Sequence, residues 1–439
     1  MKLWLLLLWV LIFSNHVLAE PETPPAQSSE VNSDVSDDDW GNEWGEEQLD
    51  EVNSQSDFWG FIEGAYGRRI TNSSVVNAQE TLEELRGRLA FSYQAQNWRF
   101  DSKVEAIQDE LFDNSSLKLR TANLSINMSE NIETKIGRQI LTWGTGDYLF
   151  LNDLFPKDWQ SFFSGRDDEY LKSSSDSIKT SWFNGNSSIQ LVWTPEFTPD
   201  KTINGSRFSY FSPVLGTSTR SQLTPNSASD STFSLKVSTS VNSIDYAIYG
   251  YTGRWKTPVG VTQQQSLYYP ELNVWGASVQ APLANGLMNA EFAWYVSKED
   301  RHGTNPFIAN SQFKALVGYG QELFSNFTAG WQYYLEHTSN HNRLLKYSLW
   351  PEFETKKNRQ LVTLRLNWRV MQQKLTFGLF TFWSPSDHDV YLKPSLSYRY
   401  SDRWKFDAGL NLFMGKHEYS FFAQHEDNSN FWIRIKATF

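Results

Sequence analysis

The last nine residues, FWIRIKATF, alternate without a break. Phe431, Ile433, Ile435, Ala437 and Phe439 fall on one side, and Trp432, Arg434, Lys436 and Thr438 on the other. A period of two is the spacing of a β-strand with one apolar and one polar face. The same period recurs upstream. In LRGRLAFSY, Leu85, Leu89 and Phe91 alternate with Arg86, Arg88 and Ala90. In LVTLRLNWRV, Val362, Leu364, Leu366 and Trp368 alternate with Thr363, Arg365, Asn367 and Arg369. A chain written this way over most of its length folds as sheet.

A soluble sandwich also alternates, so length and spacing must decide. Many of the runs reach ten residues or more, the length a tilted strand needs to cross a bilayer. The connections alternate strictly between short ones, such as 94–97, 129–131, 184–186, 241–243, 370–374 and 401–403, and long ones, such as 144–177, 195–230, 253–271, 298–310, 337–357 and 415–429. Short turns on one rim and long loops on the other mark a transmembrane barrel. Closing the sheet satisfies every backbone polar group in lipid, which an open sheet cannot do. The expected fold is an all-β, antiparallel, up-and-down transmembrane β-barrel. Its strands are expected at 58–68, 82–94, 98–108, 116–128, 132–143, 178–184, 187–194, 231–241, 243–252, 272–281, 286–297, 311–319, 326–336, 358–369, 374–384, 389–400, 404–414 and 430–439. That makes 18 strands; 14 or 16 also fit, because the pairs at 178–194 and 311–336 are the least clear.

Residues 1–19 carry Lys2, an apolar run from Leu3 to Phe13, and Val17 and Ala19 before Glu20. This is the layout of a signal peptide cut after Ala19, and the run is too short to span. Residues 20–57 hold 13 acidic residues and no Lys or Arg. Removing these and Lys2 from the totals of 50 acidic and 39 basic residues leaves 37 and 38, so the net charge of −11 belongs to one segment. Such a segment buries too little apolar surface to order itself, and is expected to be a disordered periplasmic tether. The barrel is then 58–439. The chain has no cysteine, so the exported fold relies on packing and hydrogen bonds.

Opposite the apolar faces lie charges: Arg86, Arg88, Arg99, Lys103, Arg365 and Arg369 form an expected basic wall of the lumen, with Glu84, Asp101, Glu105 and Glu291 among the acidic partners. The loop 144–177 carries seven acidic against three basic residues, and also Leu149, Phe150, Leu151, Leu154, Phe155, Trp159, Phe162 and Phe163. A long apolar loop packs on something, and the barrel interior is nearest. The expected outcome is an inward-folded constriction whose Asp147, Asp153, Asp158, Asp167 and Asp168 face the basic strands and set a transverse field; an extracellular lid is the alternative. Strict alternation through Glu133 and Lys135 would put Arg138 toward lipid. A β-bulge at Gly137 would instead turn it inward, toward Asp147 or Asp153, and send Leu141 and Trp143 outward.

The C-terminal strand, ending on Phe439 with Phe431, Ile433 and Ile435 on one face, resembles the signal that bacterial outer-membrane barrels present to their assembly machinery. The third-loop constriction resembles general porins. The block Gly137, Arg138, Gln139, Trp143, Gly144, Asp147 and Asp153 resembles that of a family of uncharacterised porin-like outer-membrane proteins, as does the Pro-x-Phe-x-Pro segment within Val192–Asp200. Pro156 and Asp158 come one residue early against that pattern, and its Asn is missing. The family is often encoded beside exporters of the resistance-nodulation-division type. The resemblance therefore implies, as an alternative to passive or facilitated diffusion of small solutes, a barrel component of an envelope system for hydrophobic or lipid-like molecules. Such a component would dock partners through the acidic segment. The chain is read as a non-enzyme in the outer membrane of a Gram-negative bacterium, with no cofactor, no metal and no nucleic acid. Its partners are membrane lipid, the assembly machinery and an envelope transporter. His337 and His341 with Glu336 would need a helix to share a metal, and are read as polar loop residues.

Overall fold

The computed structural model describes residues 55–73, 75–76 and 78–439. The signal peptide and the acidic segment through residue 54 lie outside the described residues. The strands are β1 (Gln55–Arg69), β2 (Glu80–Gln94), β3 (Trp98–Asp109), β4 (Asn114–Ser129), β5 (Ile132–Ile140), β6 (Ser174–Asn184), β7 (Ser187–Thr194), β8 (Thr232–Val241), β9 (Ile244–Arg254), β10 (Glu271–Leu283), β11 (Gly286–Ser297), β12 (Gln312–Phe324), β13 (Phe327–Thr338), β14 (Asn358–Val370), β15 (Leu375–Ser384), β16 (Asp389–Arg399), β17 (Trp404–Gly415) and β18 (Asn430–Thr438). They form one 18-stranded antiparallel sheet. Each pairs with the next, and β1 pairs with both β2 and β18, so the sheet closes on itself.

All the expected strands are present. The strict alternation of loop lengths is not. On the long-loop rim, 110–113 and 385–388 have only four residues each. The first is a tight turn, Glu110–Phe112, ended by Asp113 in the left-handed region at φ 45°. β5 also ends at Ile140, three residues early, because the chain there leaves the wall for the lumen.

The outer face is apolar. Ile62, Leu89, Leu191, Ile248, Trp275, Phe292 and Ile433 are exposed on it. Aromatic pairs gather at the bases of the short turns: Tyr93–Trp98 at 5.2 Å, Phe324–Phe327 at 4.6 Å and Trp368–Phe377 at 6.0 Å. Amphipathic rings at such a level are an interfacial girdle. Phe439 seals the seam. Its N–H donates to the Gly60 carbonyl at 2.9 Å, it accepts from Gly60 N–H at 2.8 Å, and its ring lies over Gly60, where a side chain would collide with it.

The lumen is two different environments. Toward the long loops its wall is aromatic: Tyr251, Tyr295, Tyr334, Phe380, Phe382, Tyr391 and Phe413 join one buried cluster with Leu149, Leu151, Phe162 and Phe163 of the loop 141–173 and Phe208 of the loop 195–231. A fully buried Phe is worth about 1.5–3 kcal/mol, so this inner core fixes the loops strongly. Toward the short turns the inward residues are polar, with charged side chains such as Arg99, Arg369 and Lys405 among small ones. Ser238, Ser278, Gln280, Asn367, Gly378, Ser395 and Ser397 all keep partial solvent contact.

Candidate functional site

The loop 141–173 enters the barrel, as its apolar content required. It does so in two lobes. The first, 141–155, leaves β5 and sweeps along the wall. Trp143 Nε1 donates to Gln190 of β7 at 3.0 Å, Asn152 Nδ2 to Glu291 of β11 at 2.9 Å, and Asp147 N–H to Gln332 of β13 at 3.0 Å. Gly144 makes this path possible: its φ is +87°, and a Cβ there would meet the Glu291 carboxylate at 3.0 Å. The lobe reaches Arg365 of β14, 3.2 Å from Asp147.

The second lobe begins with a short helix, α1 (Trp159–Ser164). Asp158 caps it by accepting from Ser161 N–H at 2.8 Å, and Gly165 ends it in the left-handed region at φ +83°. α1 drives Phe162 and Phe163 against Tyr391 and Phe413. Asn411 of β17 and Asn430 of β18 both donate to the Phe163 carbonyl, at 3.0 and 3.1 Å. A charged edge follows. Arg166 pairs with Glu84 of β2 at 2.6 Å. Asp167 pairs with Arg434 and Lys436 of β18 at 3.0 and 3.2 Å, Asp168 with Lys393 of β16, and Glu169 with Arg88 of β2 at 2.6 Å. Tyr170 carries the edge on to β3 and β4, accepting from Arg88, donating to Glu105 and lying under Arg120 at 4.5 Å. Arg434 is the middle residue of β18, so the loop crosses at the waist of the barrel. The tips of the two lobes touch, Tyr148 Oη donating to Asp168 at 2.5 Å.

The edge is poised to stay ionised. Burial works to raise the Asp167 carboxyl, but Lys436 and Arg434 beside it hold it well below the usual carboxylate range. Glu169 is likewise lowered, burial being outweighed by Arg88 and Arg120. Asp147, Asp167, Asp168 and Glu169 keep partial exposure, so this rim meets water.

The expected site residues divide. Asp147, Asp167 and Asp168 reach the wall. Asp153 and Asp158 do not: Asp153 is buried against Lys157 at 2.9 Å and Thr142 at 2.8 Å, and Asp158 pairs with Lys201 at 2.9 Å. These bonds stay within the loop layer. Arg86 and Arg88 are buried on the inner wall, both bound to Glu105. Arg99 lies on the same face, 3.0 Å from Asp101, and Lys103 and Arg369 share inward positions with Glu105 and Arg365. Asp147, Asp167 and Asp168 face basic wall strands, as expected of the loop carboxylates, and pair with them. Phe431, Ile433, Ile435 and Phe439 all lie on the outer face of the closing strand.

Arg138 is a correction. It is on the outer face, with Nη2 2.6 Å from Asp176 of β6, and not in the lumen beside Asp147 or Asp153. There is no bulge at Gly137, where the register runs unbroken against both neighbours. Gly137 does adopt φ +119°, and a Cβ there would lie 2.4 Å from the Ala122 carbonyl, so the position requires glycine. The bulge is one strand away. Between Lys103 and Val104 the register of β3 on β4 slips so that Arg120 is extra, and it is Arg120 that reaches the loop, donating to the Glu169 carbonyl at 2.7 Å. Leu141 and Trp143, expected outside, are inside, packed on Phe155 and Val192. The Arg138–Asp176 pair sits one outward row above Ile136, Ile178 and Trp193, near the edge of the apolar band, where a charge costs about 0–1 kcal/mol.

Two anchors complete the site: Glu291, expected inside the lumen but not as a loop anchor, and Asp200, which was not foreseen. Glu291 receives the Thr145 N–H and Asn152 from the first lobe. Asp200 accepts from Lys157 N–H at 2.9 Å and from Trp159 Nε1 at 3.1 Å. His337 and His341 take separate partners, Asn358 and the Thr355 carbonyl.

No family model matches the chain, and no curated protein matches it. Solved structures do. Acinetobacter baumannii OccAB4 superposes with a TM-score of 0.55 at 10% identity, over 88% of this chain and 98% of that one. OccAB3 of the same organism gives 0.54 at 12% identity, over 88% and 99%. Pseudomonas aeruginosa OccK5 (OpdH) gives 0.52 at 10%, over 88% and 97%. The chain has the fold of a bacterial outer-membrane porin. At these identities the likeness concerns the fold alone, and function must come from the lumen.

Proposed function

We propose that this protein is an outer-membrane channel through which small solutes diffuse, and that the loop 141–173 is its constriction. The observation that carries the proposal is the position of that loop: inside the barrel, at mid-height, bound to the wall from β7 round to β4 and presenting a partly hydrated charged edge. The polar and charged lining on the short-turn side supports a water-filled vestibule below it. Charges at such a narrowing bias which ions and solutes pass. Purified protein in a planar bilayer should give discrete conductance steps. Barrel-sized protein that inserts without any steps would refute the proposal.

A second reading has one observation behind it. The two sequence blocks that resemble the uncharacterised porin-like family meet in space: Asp200, at the end of Val192–Asp200, grips Lys157 and Trp159, which flank Asp158 at the end of the first block. That supports the resemblance, and with it a role beside an envelope exporter of hydrophobic or lipid-like molecules, docked through residues 20–57. Deleting 20–54, which leaves β1 whole, separates the two: a simple pore conducts as before. The C-terminal strand ending on Phe439 is the segment we assign to the assembly machinery.

A further inference from the structure

Two isolated bridges, Lys157–Lys172 and Asp158–Lys201, tie the root of the second lobe to its own end and to the loop 195–231. Asp158 N–H donates to the Leu171 carbonyl at 2.7 Å and Ser173 N–H to the Pro156 carbonyl at 3.0 Å, so the two ends of the second lobe are stitched together. On the other edge, Lys201 N–H donates to the Lys157 carbonyl at 2.8 Å and Trp159 N–H to the Lys201 carbonyl at 3.0 Å. Asp200 N–H donates in turn to the Lys256 carbonyl at 2.9 Å. Three loops, 141–173, 195–231 and 255–270, are thus tied together, and the junction is Asp200. One carboxylate oxygen holds the backbone at Lys157, and the other holds the indole of Trp159, the first residue of α1. Both lobes hinge about this point, since 157 lies between them. The loop 195–231 also adds the Asp158–Lys201 pair at 2.9 Å and Gln160 Nε2 on the Thr202 carbonyl at 2.8 Å, and the charged anchors at 166–169 lie on the far wall.

We propose that Asp200 is the latch of the constriction: a positioning residue outside the loop that sets where the second lobe stands across the lumen. This rests on the channel proposed above, and it makes the loop 195–231 a determinant of pore size although it lines no wall strand. With the latch cut, the ion pairs at 166–169 still attract the wall, but the root of α1 keeps only its bonds to Lys201, Thr202 and Asn204, and the lobe exchanges more readily between docked and raised positions.

The absence of cysteine gives a readout that needs no current. Ser164, at the end of α1, is 0% exposed, and Ser164→Cys would be the chain's single thiol. Its reaction with a small maleimide is measured on the full-length folded protein, alone and combined with Asp200→Ala, Asp200→Asn or Trp159→Phe. The last removes only the indole donor and guards against a general effect of the alanine. Heat-modifiable gel mobility reports that the barrel itself is intact. We expect labelling at least ten-fold faster with Asp200→Ala, an intermediate rate with the other two, and larger, noisier conductance steps in the same order. Unchanged labelling in Asp200→Ala and Trp159→Phe, with intact barrels, would overturn the latch. Faster labelling in a protein whose parent shows no conductance would uphold the latch and remove the channel.

Discussion

Glu169 of the inward loop and Arg88 of β2 meet at 2.6 Å near mid-barrel, although 81 residues separate them along the chain. The two partners are not equivalent. Arg88 also holds Glu105 at 2.5 Å, and Glu105 is 3% exposed, whereas the Glu169 side chain is 34% exposed. Removing Arg88 breaks two ion pairs at once and leaves buried Glu105 to Arg86 and Tyr170, at a cost of about 1–3 kcal/mol for lost hydrogen bonds to a charged group. Removing Glu169 leaves Arg88 still bound, at a cost of about 1 kcal/mol or less for a part-exposed pair. Denaturant unfolding of Arg88→Gln and Glu169→Gln should therefore differ by about 1–2 kcal/mol, with Arg88→Gln the weaker.

Gly165 should tolerate no side chain. Its φ is +83°, and a Cβ would lie 2.1 Å from Cγ of Trp432 on β18. Gly165→Ala adds left-handed strain of about 1 kcal/mol to a direct collision with the wall. The expected result is a folded barrel whose second lobe no longer docks, seen as new protease cleavage between 159 and 173.

Acid should loosen the mouth before the waist. His425 lies in the turn Ala423–Asn428, buried between Phe163 and Phe413, with Nδ1 3.2 Å from the Ser209 carbonyl. Burial pushes its pKa down from 6.5 to about 4, the Ser209 bond opposing weakly. A base with a lowered folded pKa binds fewer protons folded than unfolded. Its stability is complete above pH 6.5, falls as pH drops, and levels near pH 4, by about 3 kcal/mol in all. Hydrogen exchange across 204–211 and 416–429 should accelerate over that window. The lowered Asp167 and Glu169 keep the waist docked throughout it, because their contribution is lost only below the usual carboxylate range. His425→Gln should flatten the response of the mouth.

The outward pair Arg138–Asp176 should matter little to transport. Both side chains are well exposed, at 38% and 63%. Arg138→Leu is expected to change stability by about 1 kcal/mol or less and to leave conductance unaltered.

The barrel was legible because a single period, repeated in eighteen segments, is a local property of the chain. The inward course of the loop was legible too, since Phe162 and Phe163 could not stay in water. Arg138 was not. Its own strand alternates without interruption, and that plain alternation was right; the register slip belongs to Arg120 on the neighbouring strand, which no reading of residues 132–143 can contain. Asp153 and Asp158 carry the same charge as Asp147 and Asp167, but Lys157 and Lys201 stand nearer in the fold than any wall cation. Asp200 was missed, and Glu291 was read as an inward acidic residue but not as an anchor of the loop, because a carboxylate that serves N–H groups of backbone, amide or indole has no partner of opposite charge to betray it.

The central claim is that the loop 141–173 narrows an open pore. It is tested most directly by single-channel conductance of the full chain beside a form in which 145–172 is replaced by a short Gly-Ser link, both inserted as folded barrels. The structure predicts discrete steps for the full chain and steps several-fold larger for the shortened one. Equal steps in the two, or none in the shortened barrel, would contradict it.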